Sequence, residues 1–476
     1  MLFNSYPFLV FLPVVWMLYW SVFQKNIRTQ NILLLAASYV FYGWWSWKFL
    51  LLLALNTLLD YLYGFMVASK SRRSARIFMW LSVVNNLGIL AVFKYFNFFS
   101  TEFARLLSAL GFRADPFILD VALPVGISFY TFHGMSYIFD VYNQKIKPIK
   151  NLVDYAVFVS FFPLLVAGPI ERANHLLPQI QSARILRAER MVSGCKLIAW
   201  GLFKKVVIAD NLGPYADHAF SNHAILPWET LLTGAISFSF QIYGDFSGYS
   251  DIALGTARLF GFELLSNFRF PYFSRDIAEF WRRWHVSLSS WFRDYLYIPL
   301  GGSRTGRFAS VRNTMLIFLV SGFWHGAGWN YITWGFLHGL FFMPLLLNGR
   351  NRLNTGQIVA HERRLPTPRE TWLMIRTFLL VTLAWVFFRS TDMGEALGYL
   401  AHFAKDAIKS PMPSFKLHHG VVAGMVALML LCDWWLRRDE REVRSPPAFR
   451  ILIYATVTSL VMLFFGKEQS FIYFQF

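Results

Sequence analysis

Charge is scarce in this 476-residue chain. Only 15% of its residues are Asp, Glu, Lys or Arg, where soluble domains carry about a quarter. Acids are scarcer than bases, 27 against 45, which leaves a formal net charge of +18. Cysteine is nearly missing: Cys195 and Cys432 are the only two, their spacing suits no metal, and they read as inert core or lipid-facing residues. No HExxH occurs and the eleven histidines show no metal-ligand spacing, so no zinc or other metal site is expected. GxSxG and Walker A patterns are absent too, which removes the usual hydrolase and P-loop readings. No basic residue precedes the first apolar run, and the first lysine is Lys25. A secretory signal shows the reverse order, so this run is expected to be a retained membrane helix.

What remains is apolar. Hydrophobic residues make up 56% of the chain and mean hydropathy is +0.41. Apolar runs lie near 7–24, 31–48, 49–68, 77–98, 119–141, 152–168, 192–211, 229–245, 313–325, 330–347, 372–388, 418–436 and 449–465. Many approach the roughly 20 residues that cross a hydrocarbon core, and backbone in lipid has to satisfy itself within a helix. The expected fold class is an all-α polytopic membrane protein with about eleven transmembrane helices plus re-entrant segments. It forms a single integral-membrane domain over 1–476, with a core near 119–347 and plainer C-terminal helices near 371–465. The basic excess falls in loops between runs, which points to anionic headgroups of the lipid bilayer and away from nucleic acid. Lys25 and Arg28, then Lys70, Arg72, Arg73 and Arg76, then Lys145, Lys147 and Lys150 follow runs one, three and five. All three clusters share a side if the N-terminus is extracytoplasmic.

The segment VSFFPLLVAGPIERANHLLPQ (159–179) interrupts this regularity. It holds Pro163, Gly168 and Pro169 and has basic residues on both flanks, so it reads as re-entrant; such broken backbone survives at membrane depth only inside protein or along a cavity.

Between Gly255 and Asn313 there are nine arginines, no lysine and four acids. Arginine alone suits planar contacts to phosphate or carboxylate. Within it, 276–302 carries apolar residues at 277, 280, 281, 284, 288, 291, 292 and 295, the spacing of one amphipathic helix. This helix reads either as an interfacial brace or as a cytosolic mouth for a phosphate-bearing acyl donor. Arg282, Arg283 and Arg293 are its candidate donor-binding residues, and Trp324 and Asn330 of the later stretch SGFWHGAGWN (321–330) are the others. His285 would sit on the helix one turn from Arg282 and Ser289; spacing alone favours a packed, hydrogen-bonded histidine. His325 differs, because the flanking runs hold almost no other ionisable group and Gly322, Gly326 and Gly328 surround it. A titratable residue at membrane depth is a functional candidate, here a general base, against the plain alternative of a core histidine bonded to a backbone carbonyl. His338 is expected to bond between helices.

Several stretches together resemble the membrane-bound O-acyltransferase family, in its bacterial alginate O-acetylation branch: LPVGISFYTFHGMSYIFDVY (123–142), FPLLVAGPIERANHLLPQ (162–179), the long block from QIYGDFSGYSD through WRRWHVSLSSWFRDYLYIPLGG (241–302), FLVSGFWHGAGWNYITWGFLHG (318–339) and FIYFQF (471–476). The resemblance implies a ring of helices around a central tunnel. It places the family's required histidine at His325 and a second catalytic position at His285. It implies O-acyl transfer with no permanently bound cofactor, from acetyl-CoA or another acyl thioester, onto an exopolysaccharide such as alginate. The implied partners are a periplasmic SGNH-type acetyltransferase and other polysaccharide-modification proteins, and the implied location is the bacterial inner membrane. A D-alanyl transfer enzyme of the same family, working on teichoic acid, is the near rival; a non-catalytic transporter or channel is the distant one.

Overall fold

Backbone withdrawn from water has to find partners within its own segment, and the chain does so with helices. The computed structural model describes residues 1–69, 71–304, 306–414, 416–438, 446–466 and 471–472. Among these residues no strand occurs. Six helices are long and apolar enough to cross a membrane: Trp47–Val67, Arg72–Ala109, Trp329–Leu347, Pro368–Arg389, Leu417–Leu436 and Pro447–Phe464. Tyr6–Val22 is a shorter apolar helix. The other apolar runs fall in shorter, interrupted or more polar helices, and the expected figure of about eleven spans is not confirmed by this count.

The chain divides into two compact units. The first, Met1–Cys195 with Ala253–Leu265, contains α1 (Tyr6–Met17), α2 (Ile27–Gly43), α3 (Trp47–Val67), α4 (Arg72–Leu90), α5 (Phe96–Ala109), α6 (Ile127–Tyr142), α7 (Leu152–Ser160), α8 (Ala173–Gln181) and the start of α9 (Ala188–Leu202). Several polar residues buried among its apolar helices bond one another. Asp60 of α3 accepts from Ser82 and Asn86 of α4 at 2.6 and 2.9 Å. Asn31 of α2 donates to Asp154 and to the Ile180 carbonyl, and Arg184 donates back to Asn31. In a low-dielectric interior such bonds fix helix register, since an unmet donor costs about 1–3 kcal/mol.

The proline-rich segment is broken as its composition predicts. α7 stops at Ser160, and no helix resumes until α8 begins at Ala173. Gly126, with φ +75, lies directly against the Leu165 carbonyl, where a Cβ would collide. Glu171 is buried and knits the loop to its surroundings: its carboxylate accepts from the Leu265 amide at 2.6 Å and meets His175 Nδ1 at 2.7 Å. Its own amide donates to His133 Nε2 at 3.1 Å. Bonding to Glu171 raises the His175 pKa above its ordinary value.

The second unit, Lys196–Ile252 with Ser266–Phe476, takes the end of α9, α10 (Asp210–Ser221), most of α11 (Trp228–Leu259), α12 (Ile277–Arg283), α13 (Val286–Phe292), α14 (Arg307–His325), α15 (Trp329–Leu347), α16 (Pro368–Arg389), α17 (Met393–Lys409), α18 (Leu417–Leu436) and α19 (Pro447–Phe464). A π-helical turn, Phe203–Ala209, joins α9 to α10. It carries two buried lysines. Lys204 pairs with Asp251 at 2.7 Å, and Lys205 pairs with Asp210 and Asp245, both at 2.8 Å. Asp245 also accepts from the Ile472 amide at 2.7 Å. α14 and α15 pack backbone to backbone because Gly322 faces the Tyr331 carbonyl and Gly335 faces the Phe318 carbonyl, leaving no space for a side chain at either.

Candidate functional site

The stretch 276–302 is not one helix. Asp276 caps α12 by accepting from the Glu279 amide at 2.7 Å, α12 ends at Arg283, and His285 takes a left-handed conformation with φ +44 and ψ +52 before α13 starts. A bulky residue at positive φ is rare and strained by about 1–3 kcal/mol, a condition found mostly at functional sites. The break turns His285 inward, so that it is fully buried.

Asn267 holds it there. Its Oδ1 lies 3.0 Å from His285 Nδ1 and accepts from Ser287 Oγ at 2.8 Å. Its backbone carbonyl accepts from the Val286 amide at 3.0 Å. Because an amide oxygen only accepts, the His285 proton sits on Nδ1, and Nε2 is the basic nitrogen. Burial lowers the His285 pKa below its ordinary value, so the ring is neutral. The Phe246 ring packs edge-on against it at 4.7 Å.

His325, the last residue of α14, is buried with its ring centre 6.5 Å from that of His285. Trp324, Trp334 and Phe388 wall it at 4.8, 5.0 and 5.3 Å. Trp324 also lies 6.2 Å from His285, so these two histidines and Trp324 come together. The glycines here serve close packing: a side chain at Gly326 would strike the Tyr331 ring.

The remaining candidates are placed elsewhere. Asn330 donates to the Ser390 carbonyl at 2.7 Å and joins the start of α15 to the end of α16. Arg282 donates to the Asn351 and Asn354 carbonyls at 2.9 and 3.1 Å. Arg283 pairs with buried Glu279 at 2.9 Å. Arg293 is exposed and contacts Asp294 at 2.7 Å. His338 accepts from Trp281 Nε1 at 3.2 Å, a bond from α15 to α12, and the Trp334 ring separates it from His325, 4.9 Å from one and 5.0 Å from the other.

Asn267 was invisible to sequence reasoning, although an amide in the aromatic run SNFRF (266–270) is its one signal. The pairing of Lys204 and Lys205 was missed as well. Among the described residues no cluster of His, Cys, Asp and Glu could hold a metal ion. Two imidazoles in an aromatic enclosure, one with its tautomer fixed, can take up and hand on a proton in a place that excludes water.

Known proteins resemble the chain over most of its length. The model of the membrane-bound O-acyltransferase family matches residues 125–352, which contain both histidines. The probable alginate O-acetylase of Pseudomonas putida is 43% identical over 454 residues, covering 94% of this chain and 90% of the relative. That of Pseudomonas aeruginosa is 42% identical over 400 residues, covering 83% and 73%. The peptidoglycan O-acetyltransferase of Helicobacter pylori is 33% identical over 540 residues, covering 100% and 98%.

Proposed function

The chain belongs to the membrane-bound O-acyltransferase family and is a multi-pass membrane O-acyltransferase, and from that premise we propose that it moves an acetyl group from a cytosolic thioester, acetyl-CoA or another acyl thioester, across the inner membrane for O-acetylation of an exopolysaccharide such as alginate. A periplasmic SGNH-type acetyltransferase completes the transfer, and the N-terminus is extracytoplasmic. One observation carries the catalytic part: His285, oriented by Asn267, stands 6.5 Å from His325 in a buried aromatic enclosure.

His325 removes the proton from the incoming hydroxyl as its oxygen attacks the thioester carbonyl. The carbon–sulfur bond then breaks, and the thiolate leaves with that proton. His285 assists by orientation or by relaying that proton, its ring centre lying 6.5 Å from that of His325. Buried imidazoles suit this role because the rings themselves need no desolvating when the donor arrives. Arg293 is the exposed member of the arginine set for donor phosphates. At Arg282 and Arg283 a phosphate shares guanidinium groups already bonded to carbonyls and Glu279. Trp324 and Asn330 complete the donor-binding set.

The test substitutes His325→Ala and His285→Ala at equal membrane abundance and measures polymer O-acetylation. Loss in both supports the reading; wild-type acetylation in His325→Ala refutes it. Alginate is the first acceptor to assay. Peptidoglycan is the second, since the Helicobacter pylori relative that bears that name aligns over this whole chain. Co-purification of an SGNH-type enzyme tests the partner.

A further inference from the structure

A cavity of about 290 Å³ opens between α9, α18 and α19, lined chiefly by Trp200, Phe203, Cys432, Trp435, Tyr454 and Val457. Two of its walls, α18 and α19, are among the helices fit to cross a membrane, and α19 is the least buried of the six. Its lining is nearly all aromatic and aliphatic, and on two of its helices a basic residue continues the lining stripe by one turn. Lys196 precedes Trp200 by four residues and Phe203 by seven, so it continues the same helical stripe. Arg450 stands in the same relation to Tyr454 and Val457 on α19. The two stripes meet where Lys196 Nζ lies 5.7 Å above the Tyr454 ring. Among the described residues no carboxylate pairs with either cation.

We propose that this cavity holds one acyl chain of an anionic phospholipid from the surrounding bilayer, with the phosphate held by Lys196 and Arg450. A purely apolar partner helix would supply neither cation with an anion, whereas a phospholipid presents its anion one headgroup away from its hydrocarbon. The snorkelling geometry of long basic side chains at the end of an apolar stripe fits that division. Each basic contact to an anionic headgroup strengthens binding about five-fold, so the pair gives roughly a 25-fold preference for an anionic over a zwitterionic lipid.

The full-length protein in nanodiscs containing phosphatidylglycerol and phosphatidylcholine provides the test, with retained lipid counted by native mass spectrometry. Preferential retention of phosphatidylglycerol supports the site, and equal retention by the unsubstituted protein overturns it without any variant. The variant Lys196→Gln/Arg450→Gln should lose most of the preference, and Lys196→Arg/Arg450→Lys should keep it. Retention of the full preference by the glutamine pair overturns the assignment. A photoreactive phosphatidylglycerol should label α19 between Leu452 and Leu460; labelling confined to other helices overturns it as well. A lipid-free dimer closed over this face would show that a second copy is the occupant, and the proposal falls.

Discussion

Replacing Asn267 with leucine isolates the group that orients His285. The side chain is fully buried, and its Oδ1 receives two good hydrogen bonds, from His285 Nδ1 at 3.0 Å and Ser287 Oγ at 2.8 Å. A third, from the Ser287 amide at 3.4 Å, is too long to count for much. Leucine removes the acceptor and leaves both donors buried, at about 1–1.5 kcal/mol each, so the folded state should lose about 2–3 kcal/mol. The functional loss should be larger. Without an acceptor at Nδ1 the imidazole is free to carry its proton on either nitrogen and to turn within its enclosure, and an unfixed tautomer has lowered turnover by up to about 10⁴-fold in the Ser-His-Asp enzymes. Acetyl transfer should therefore fall by about 10²–10³-fold at matched membrane abundance, while melting of the purified protein shifts only modestly. Asn267→Asp keeps an acceptor at the same place and should recover a large part of the activity. Wild-type transfer by Asn267→Leu at equal abundance would refute the orienting role of this residue, whatever the melting shows.

Three further outcomes follow from the same contacts. Gly335→Ala forces a methyl group into the Phe318 carbonyl and should destabilise by about 1–3 kcal/mol, with reduced transfer because α14 carries His325; thermal melting and acetylation read the two effects. Lys205→Met strands Asp210 and Asp245 without their shared cation and should cost about 3–5 kcal/mol, seen as a large drop in melting temperature. His175 has its pKa raised by Glu171, so the stabilisation from the charged pair is complete below the ordinary imidazole value of about 6.5 and is lost as pH rises through the raised one. A small decline in melting temperature should appear in the wild type as pH rises above about 6.5 and vanish in His175→Gln.

Helicity, membrane character and the break after Ser160 were legible because each leaves a local mark: apolar runs, few charges, and Pro163, Gly168 and Pro169 in one segment. The break at His285 left none. Apolar residues stay in phase on both sides of it, since α12 and α13 are each amphipathic, and the residue at positive φ is a histidine where a glycine would have signalled the turn. The role of Asn267 depends on a contact across 18 residues, which no helical period encodes. Lys204 and Lys205 sit inside the apolar run 192–211; Asp210 is close to Lys205 in sequence, but Asp245 and Asp251 lie some forty residues on, and pairing at that range is settled only by folding.

That delayed pairing has a consequence for how the chain is made. When the Phe203–Ala209 turn leaves the ribosome, much of α11 is still inside the exit tunnel, so Asp245 and Asp251 cannot yet reach the lysines. Lys205 has Asp210 within its own segment, but Lys204 has no acid there, and one such cation opposes release into lipid by about 2.5–3.5 kcal/mol. The segment is therefore expected to settle in the bilayer only once α11 supplies Asp251 to Lys204 and Asp245 to Lys205.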